Sequence, residues 1–315
     1  MSLGSVRSAV QLIAENISKY IVNYKDNIEI MVLTAAIRGH TLIYGPPGAA
    51  KTFTAKLFSQ LIGLKFSRIQ FTPDVLPSDI LGAKVIDPKT GELRTVLGPV
   101  FANVVLADEI NRANPKSLAA LLEVMQERQV TIEGDIYRLP EPFVVIATLN
   151  PIEAHGVFPL PIAILDRFMT SLSFSYIEFN DEIEMVQRDL KYDLENLTLK
   201  PIIEPEDFTH LYEEIKKVKA TVDVVNYCVE VVWKLRSRTD VVFGPSPRAT
   251  LHLIRLSRGI AALDGRDYVI PDDVKKATKY VLRHRIIIEK SDLMTNLMRA
   301  EEVINDVLKS VEPPW

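Results

Sequence analysis

Residues 41–54 read TLIYGPPGAAKTFT, and no other stretch narrows the fold and chemistry of this chain so far. Thr41-Leu42-Ile43-Tyr44 is short, apolar and partly β-branched, the pattern of a buried strand. Gly45-Pro46-Pro47-Gly48-Ala49-Ala50 breaks it, and Lys51-Thr52 opens a segment, FTAKLFSQLIG, with helical spacing. Strand, glycine-bearing loop, Lys-Thr and helix form the layout of a phosphate-binding loop. Small residues let backbone N–H groups turn inward around phosphates, and the helix N-terminus adds the positive end of its dipole. In that layout Lys51 reaches the terminal phosphates and the Thr52 hydroxyl ligates Mg²⁺. Ala50 stands where the G-x-x-x-x-G-K-[ST] form has its second glycine, so a Cβ must fit beside the phosphates. A Gly/Pro turn before Lys-Thr is also plain helix-start chemistry, so the loop needs company.

Company comes from the ends of two later apolar runs. Asn103 to Ala107 reads as a buried strand that ends in Asp108-Glu109. There Asp108 is placed to hold Mg²⁺, largely through water, and Glu109 to polarise an attacking water. A further buried strand ends in Thr148-Leu149-Asn150. At the strand tip Asn150 either hydrogen-bonds the γ-phosphate or the water, or simply opens an Asn-Pro turn. Asp166-Arg167-Phe168 precedes a fifth strand, and its arginine either reaches a neighbouring subunit's nucleotide or pairs locally with Asp166. KFSRIQF reads as the remaining strand, and TPDVLPSDILG after it as an ordered loop. Two hairpins interrupt this α/β order, one over 83–97 and one over 129–139. Residues 5–20 and the following IVNYKDNIEIMVLTAAIRGH read as two helices on the edge of the domain. Ile21-Val22 at their junction is either an apolar cradle for an adenine base or a helix–helix contact.

From Asn180 the pattern is helix after helix, with the expected hinge near 176–202. Ser246-Pro247-Arg248 starts one helix with a good cap and a first-turn proline. A cation there opposes the helix dipole, so Arg248 needs an anionic partner, either a nucleotide phosphate or a nearby acid.

The totals exclude several classes. Lys and Arg number 37 against 41 Asp and Glu, a net charge of −4 that gives no global reason to expect nucleic acid. The single cysteine, Cys228, excludes an intrachain disulfide or a multi-cysteine metal site, and its apolar surroundings read as core. No stretch has the length of a membrane span and no signal-like core opens the chain, so a cytoplasmic location is expected. Met1-Ser2-Leu3 reads as a native start or a cloning remnant.

With these strings in this order, the chain resembles the MoxR family of AAA+ ATPases over nearly all of its length. The matching strings include Gly39-His40, TPDVLPSDILG, LADEINRANPKSLAALLEVMQERQVTIEG, ATLNPIE and GPSPRA, and the family carries alanine before the loop lysine, as at Ala50. The resemblance implies an α/β core, residues 1–180, with a five-stranded parallel P-loop sheet and two inserted β-hairpins. A smaller all-α lid domain, residues 181–315, is expected to follow. It assigns Gly45, Pro46, Pro47, Gly48, Ala49, Ala50, Lys51, Thr52 and Phe53 to nucleotide binding, with Ile21 and Val22 at the base. It makes Asp108 and Glu109 Walker B, Asn150 sensor 1, Arg167 a trans arginine finger and Arg248 sensor 2. It implies ATP and ADP as ligands with Mg²⁺, and a ring, usually hexameric, acting as a chaperone-like remodeller. Partners bearing a von Willebrand factor A domain are implied by kinship only. The family's usual LPEAQLDRF string carries Ile162 and Ile164 here at the Glu and Gln positions, and Leu118 replaces a usual Gln. These changes put polar contacts around the finger at the subunit boundary in question. A minimal member, with no further domain after residue 311, is expected. Two other readings compete: a nucleic-acid motor related to AAA+ helicases, and a nucleotide switch without turnover. The motor needs basic hairpin tips. One tip here carries Glu133 and Asp135, and the other hairpin mixes Lys84, Lys89 and Arg94 with Asp87 and Glu92.

Overall fold

The computed structural model describes residues 5–150, 160–288 and 293–315, without the side chains of Leu293 and Met294. Met1-Ser2-Leu3 and the stretch from Pro151 to Pro159, which includes the end of ATLNPIE, lie outside the described residues. Helices α1 (Val6–Ser18) and α2 (Lys25–Ala36) lead into β1 (Thr41–Tyr44), and α3 (Lys51–Leu61) and β2 (Phe66–Gln70) follow. A short α4 (Pro77–Leu81) precedes the hairpin β3 (Gly82–Ile86) and β4 (Leu93–Leu97). Then come β5 (Val104–Asp108), α5 (Pro115–Glu127), the hairpin β6 (Gln129–Ile132) and β7 (Asp135–Arg138), and β8 (Val144–Leu149). The short α6 (Ile162–Leu165) and β9 (Thr170–Ser173) close the α/β part. The remainder is α7 (Phe179–Tyr192), α8 (Pro205–Lys217), α9 (Val222–Arg236), α10 (Pro247–Leu263), α11 (Pro271–Leu282) and α12 (Leu293–Ser310).

Five strands form one parallel sheet in the order β2-β5-β8-β1-β9. The expected α/β core with a helical lid is therefore what the chain folds into, and the two hairpins stand apart as separate two-stranded sheets. Strands β1, β5 and β8 are buried along their whole length, which is why their sequences are continuous apolar runs rather than alternations. Their residues still divide by face. Ile43, Leu106 and Ile146 join α1–α3 and the lid helices in one core, whereas Leu42, Val105 and Val145 face α5 in a second.

One local reading needs correction. TPDVLPSDILG is not all loop, because Pro77 starts α4 and the Asp79 carboxylate accepts from the Leu76 amide at 2.8 Å. Proline at a first helical position and an acid reaching back to the chain entry are together enough to nucleate this turn. The cap expected at Ser246 is present: its side chain accepts from the Arg248 amide at 3.2 Å, with Pro247 opening α10. Two of the three departures from the family pattern pack inward, while Ile162 is half-buried. Ile164 and Leu118 are each only 4% exposed, in the core on the α5 face of the sheet.

Candidate functional site

Parallel strands place their carboxyl ends on one edge of the sheet, and here that edge gathers the singled-out residues. Register sets Tyr44 opposite Leu149 and Gln70 opposite Asp108, so the ends of β1, β2, β5 and β8 are level. The loop leaving β1 turns sharply at Gly45, where an added Cβ would sit 1.9 Å from the Phe174 carbonyl oxygen. Only glycine fits there. Ala50 caps α3 with φ of 56°, a left-handed conformation, so the alanine that replaces the usual glycine keeps the glycine's backbone.

A cavity of about 340 Å³ opens over this loop, lined by Pro47 to Phe53 and by Asp108, Glu109, Thr148 and Asn150 from the strand ends. Lys51 is buried, and its ammonium donates to the Gly45 and Pro46 carbonyls, the latter at 2.8 Å. Burial pulls its pKa down, opposed by the charges of Asp108 and Glu109. The Thr52 hydroxyl donates to Asp108 Oδ2 at 3.3 Å. Asn150, buried at the tip of β8, has its backbone carbonyl held by the Asn111 amide at 3.1 Å.

A second cavity, of about 460 Å³, adjoins the first across Pro47–Ala50 and Phe53. Ile21 and Val22 line it together with Met185 and Tyr176. Its wall is made rigid by Tyr24, which stacks on Phe174 with ring centroids 4.4 Å apart and donates its hydroxyl to the Ser175 carbonyl. Ile21 and Val22 thus border a cleft rather than a closed helix–helix contact.

The donor set fits a nucleoside triphosphate with Mg²⁺. The loop offers backbone N–H groups and one lysine, the adjoining cleft is apolar, and Thr52 and Asp108 present neighbouring oxygens. Mg²⁺ takes one or two protein oxygens plus phosphate and water, and Thr52 and Asp108 are placed to offer those oxygens.

The two arginines do not join this cavity. Asp166 accepts from Ser246 Oγ at 2.8 and 2.9 Å, from Arg248 Nη1 at 3.0 Å and from Arg285 Nε at 3.0 Å. Arg248 thus has the nearby acid as a partner in this structure. Arg167 makes no ion pair with Asp166; its Nε is buried without a hydrogen-bond partner among the described residues, and burial and the nearby charge of Arg248 lower its pKa. Neither Arg167 nor Arg248 lines the cavity over the chain's own loop.

Three functional neighbours had escaped sequence reasoning. Arg68 on β2 reaches Asp108 at 2.6 Å. Gln70 donates to Glu109 Oε2 at 3.0 Å. The Thr148 hydroxyl donates to Asp108 Oδ1 at 2.5 Å and accepts from the Glu109 amide at 2.9 Å. Arg68 and Gln70 share one side of β2 by strand alternation, but only the pairing with β5 reveals that this side meets the two acids.

Two family models match parts of the chain. Residues 40–170 match the ATPase family associated with various cellular activities (AAA), and residues 234–307 match the AAA lid domain. The chaperone MoxR1 of Mycobacterium tuberculosis is 41% identical over 95% of this chain and 80% of its own length. The uncharacterized protein YeaC of Bacillus subtilis is 39% identical, covering 95% and 93% of the two chains. A solved structure from Cytophaga hutchinsonii, described as a candidate ATPase, superposes with a TM-score of 0.88 at 34% identity, covering 98% of this chain and 96% of that one.

Proposed function

The chain belongs to the MoxR family of AAA+ ATPases, and from that premise we propose that it hydrolyses ATP with Mg²⁺ in a ring and remodels partner proteins. The observation that carries this reading is the convergence of Lys51, Thr52, Asp108, Glu109 and Asn150 on one cavity at the sheet edge. Lys51 exchanges its two loop carbonyls for the β- and γ-phosphates, while the loop amides and the start of α3 take the remaining charge. Thr52 and Asp108 hold the metal, which neutralises charge on the phosphates when bound. Glu109 aligns the attacking water and accepts its proton, and Asn150 fixes water or γ-phosphate from the other side. The base lies in the cleft of Ile21, Val22 and Phe53.

Arg167 is the finger for the neighbouring subunit's nucleotide. It is an arginine with a buried, unpartnered Nε and lies away from its own cavity. A hexameric ring, a lid of residues 181–315 moving against residues 1–180, and a partner with a von Willebrand factor A domain complete the proposal. A protein client suits the hairpins better than nucleic acid does, since Lys84 is already paired with Asp135 at 2.9 Å. Among the described residues no helix is long and apolar enough to cross a membrane.

The test is ATPase rate against protein concentration for wild type, Arg167→Ala and Glu109→Gln, with the assembly sized by light scattering. Specific activity should rise with assembly. Arg167→Ala should bind ATP normally yet turn over roughly 10³-fold more slowly at every concentration. A flat rate per subunit with Arg167→Ala equal to wild type removes the shared site. Phosphate release no higher than that of Glu109→Gln makes the chain a nucleotide switch.

A further inference from the structure

The carboxylate on the metal side of the site already has a cation. Arg68 sets Nη2 2.6 Å and Nε 2.9 Å from a single oxygen, Oδ2 of Asp108. That same oxygen accepts from the Thr52 hydroxyl, while Oδ1 is occupied by Thr148. The face of Asp108 turned toward Thr52, the one a metal shared by the two residues must use, is therefore closed by a guanidinium. The two side chains are unequal. Asp108 is 8% exposed and Arg68 50%, so the carboxylate is fixed and the arginine has solvent to move into.

We propose that Arg68 is an intramolecular competitor for the Mg²⁺ position: it neutralises Asp108 until metal and nucleotide arrive, and must leave Oδ2 for Thr52 and Asp108 to hold the ion. This rests on the reading of the cavity as a Mg²⁺–nucleotide site. A carboxylate this buried is costly without a partner, and Lys51, the other cation of the cavity, donates instead to the Gly45 and Pro46 carbonyls. Arg68 thus fixes the direction in which the carboxylate points. Mg²⁺ requires a near-octahedral oxygen shell at about 2.1 Å, mostly water and phosphate. A guanidinium in contact with Oδ2 stands inside the volume that shell needs. Each metal-binding event then breaks one arginine–carboxylate pair, and the free energy of that pair is subtracted from the metal affinity. For a half-exposed pair the subtraction amounts to a small factor, about 2- to 5-fold in the Mg²⁺ requirement.

The experiment is a Mg²⁺ titration of the full chain with a fluorescent ADP analogue, read as equilibrium binding, for wild type, Arg68→Gln, Arg68→Ala and Arg68→Lys. Far-UV circular dichroism checks that each variant is folded. The Gln and Ala variants should reach half-saturation at about 2- to 5-fold lower Mg²⁺ than wild type. The Lys variant, which keeps the charge but not the two-pronged contact, should lie between. In EDTA the Gln and Ala variants should bind the analogue no more tightly than wild type, because a cation near the phosphates has been removed. Equal or higher half-saturating Mg²⁺ in the folded Gln and Ala variants overturns the competition while leaving the nucleotide site intact. If the wild type binds the analogue identically with and without Mg²⁺, the metal-site reading fails and the competition fails with it.

Discussion

Mild acid should loosen this fold through a residue just outside the phosphate loop. His40 is 6% exposed, immediately before β1, and both ring nitrogens are committed. Nδ1 accepts from the Val145 amide at 2.9 Å, so Nε2 carries the proton and faces the Met125 carbonyl at 3.3 Å. Protonating Nδ1 would set one N–H against another and bury a charge. Burial accordingly pushes the pKa of His40 down to about 4, with the Met125 carbonyl opposing and the charge of Arg128 adding to the shift. In the unfolded chain the value returns to about 6.5. The folded pKa lies below the unfolded one, so as pH falls the unfolded chain takes the proton first. The stabilisation is complete above the unfolded value and is lost as pH falls toward the folded one. Linkage gives a loss of about 2 kcal/mol between pH 7 and pH 5, and about 3 kcal/mol by pH 4. His252, lowered to about 2 by burial and then by Arg285, acts in the same direction, as does buried His284. Urea denaturation of wild type and His40→Gln at pH 7, 6 and 5 isolates the His40 share. Glutamine can present an oxygen to Val145 and an amide to Met125 but takes no proton. Wild type should lose about 2 kcal/mol more than His40→Gln between pH 7 and 5, whatever the variant's starting stability. Parallel slopes for the two proteins would refute the argument, because the carboxylates they share cannot produce the difference.

Two further expectations concern stability. Ala50→Gly removes a left-handed alanine and should raise stability by about 1 kcal/mol in thermal or urea unfolding; a loss of stability would show that the methyl's packing outweighs the strain. Arg285→Leu deletes a fully buried guanidinium that serves Asp166, His252 and the Phe168 and Met169 carbonyls, and should cost about 3–5 kcal/mol in the same assay. Arg285→Lys should recover only part of it, since one ammonium cannot replace the fork; full recovery would reduce the role to bare charge.

The parts of the site that could be read from sequence are those whose chemistry is contiguous. GPPGAAKT carries its turn, its lysine and its helix start in one string, and LADE and ATLN announce strand tips by ending apolar runs in polar residues. What could not be read depends on register or on distant partners. Arg68 and Gln70 alternate with Ser67 and Ile69 like any half-exposed edge strand, and their role follows from lying beside Leu106 and Asp108 of β5. Thr148 looks like a β-branched strand former until its hydroxyl is found on Asp108. The fate of Arg248 shows physical reasoning going halfway. The helix dipole demanded an anion near the start of α10, but which anion depended on a loop 82 residues earlier.

That loop explains why Arg167 Nε has no hydrogen-bond partner among the described residues. An aspartate directly before an arginine would ordinarily be its counter-ion, a weak and solvated pair. Here Asp166 is drawn inward, because Arg285 is fully buried and must be neutralised, and because Ser246 and Arg248 complete the carboxylate's hydrogen bonds. The carboxylate takes its hydrogen bonds from Ser246, Arg248 and Arg285 and acts on Arg167 through its charge alone. Arg167 therefore keeps an unpartnered Nε, in a setting that burial and Arg248 make unfavourable for its charge. The helices that follow the α/β core thus do more than cover the sheet. By holding Asp166, they keep the carboxylate next in sequence from serving as the hydrogen-bond partner of Arg167.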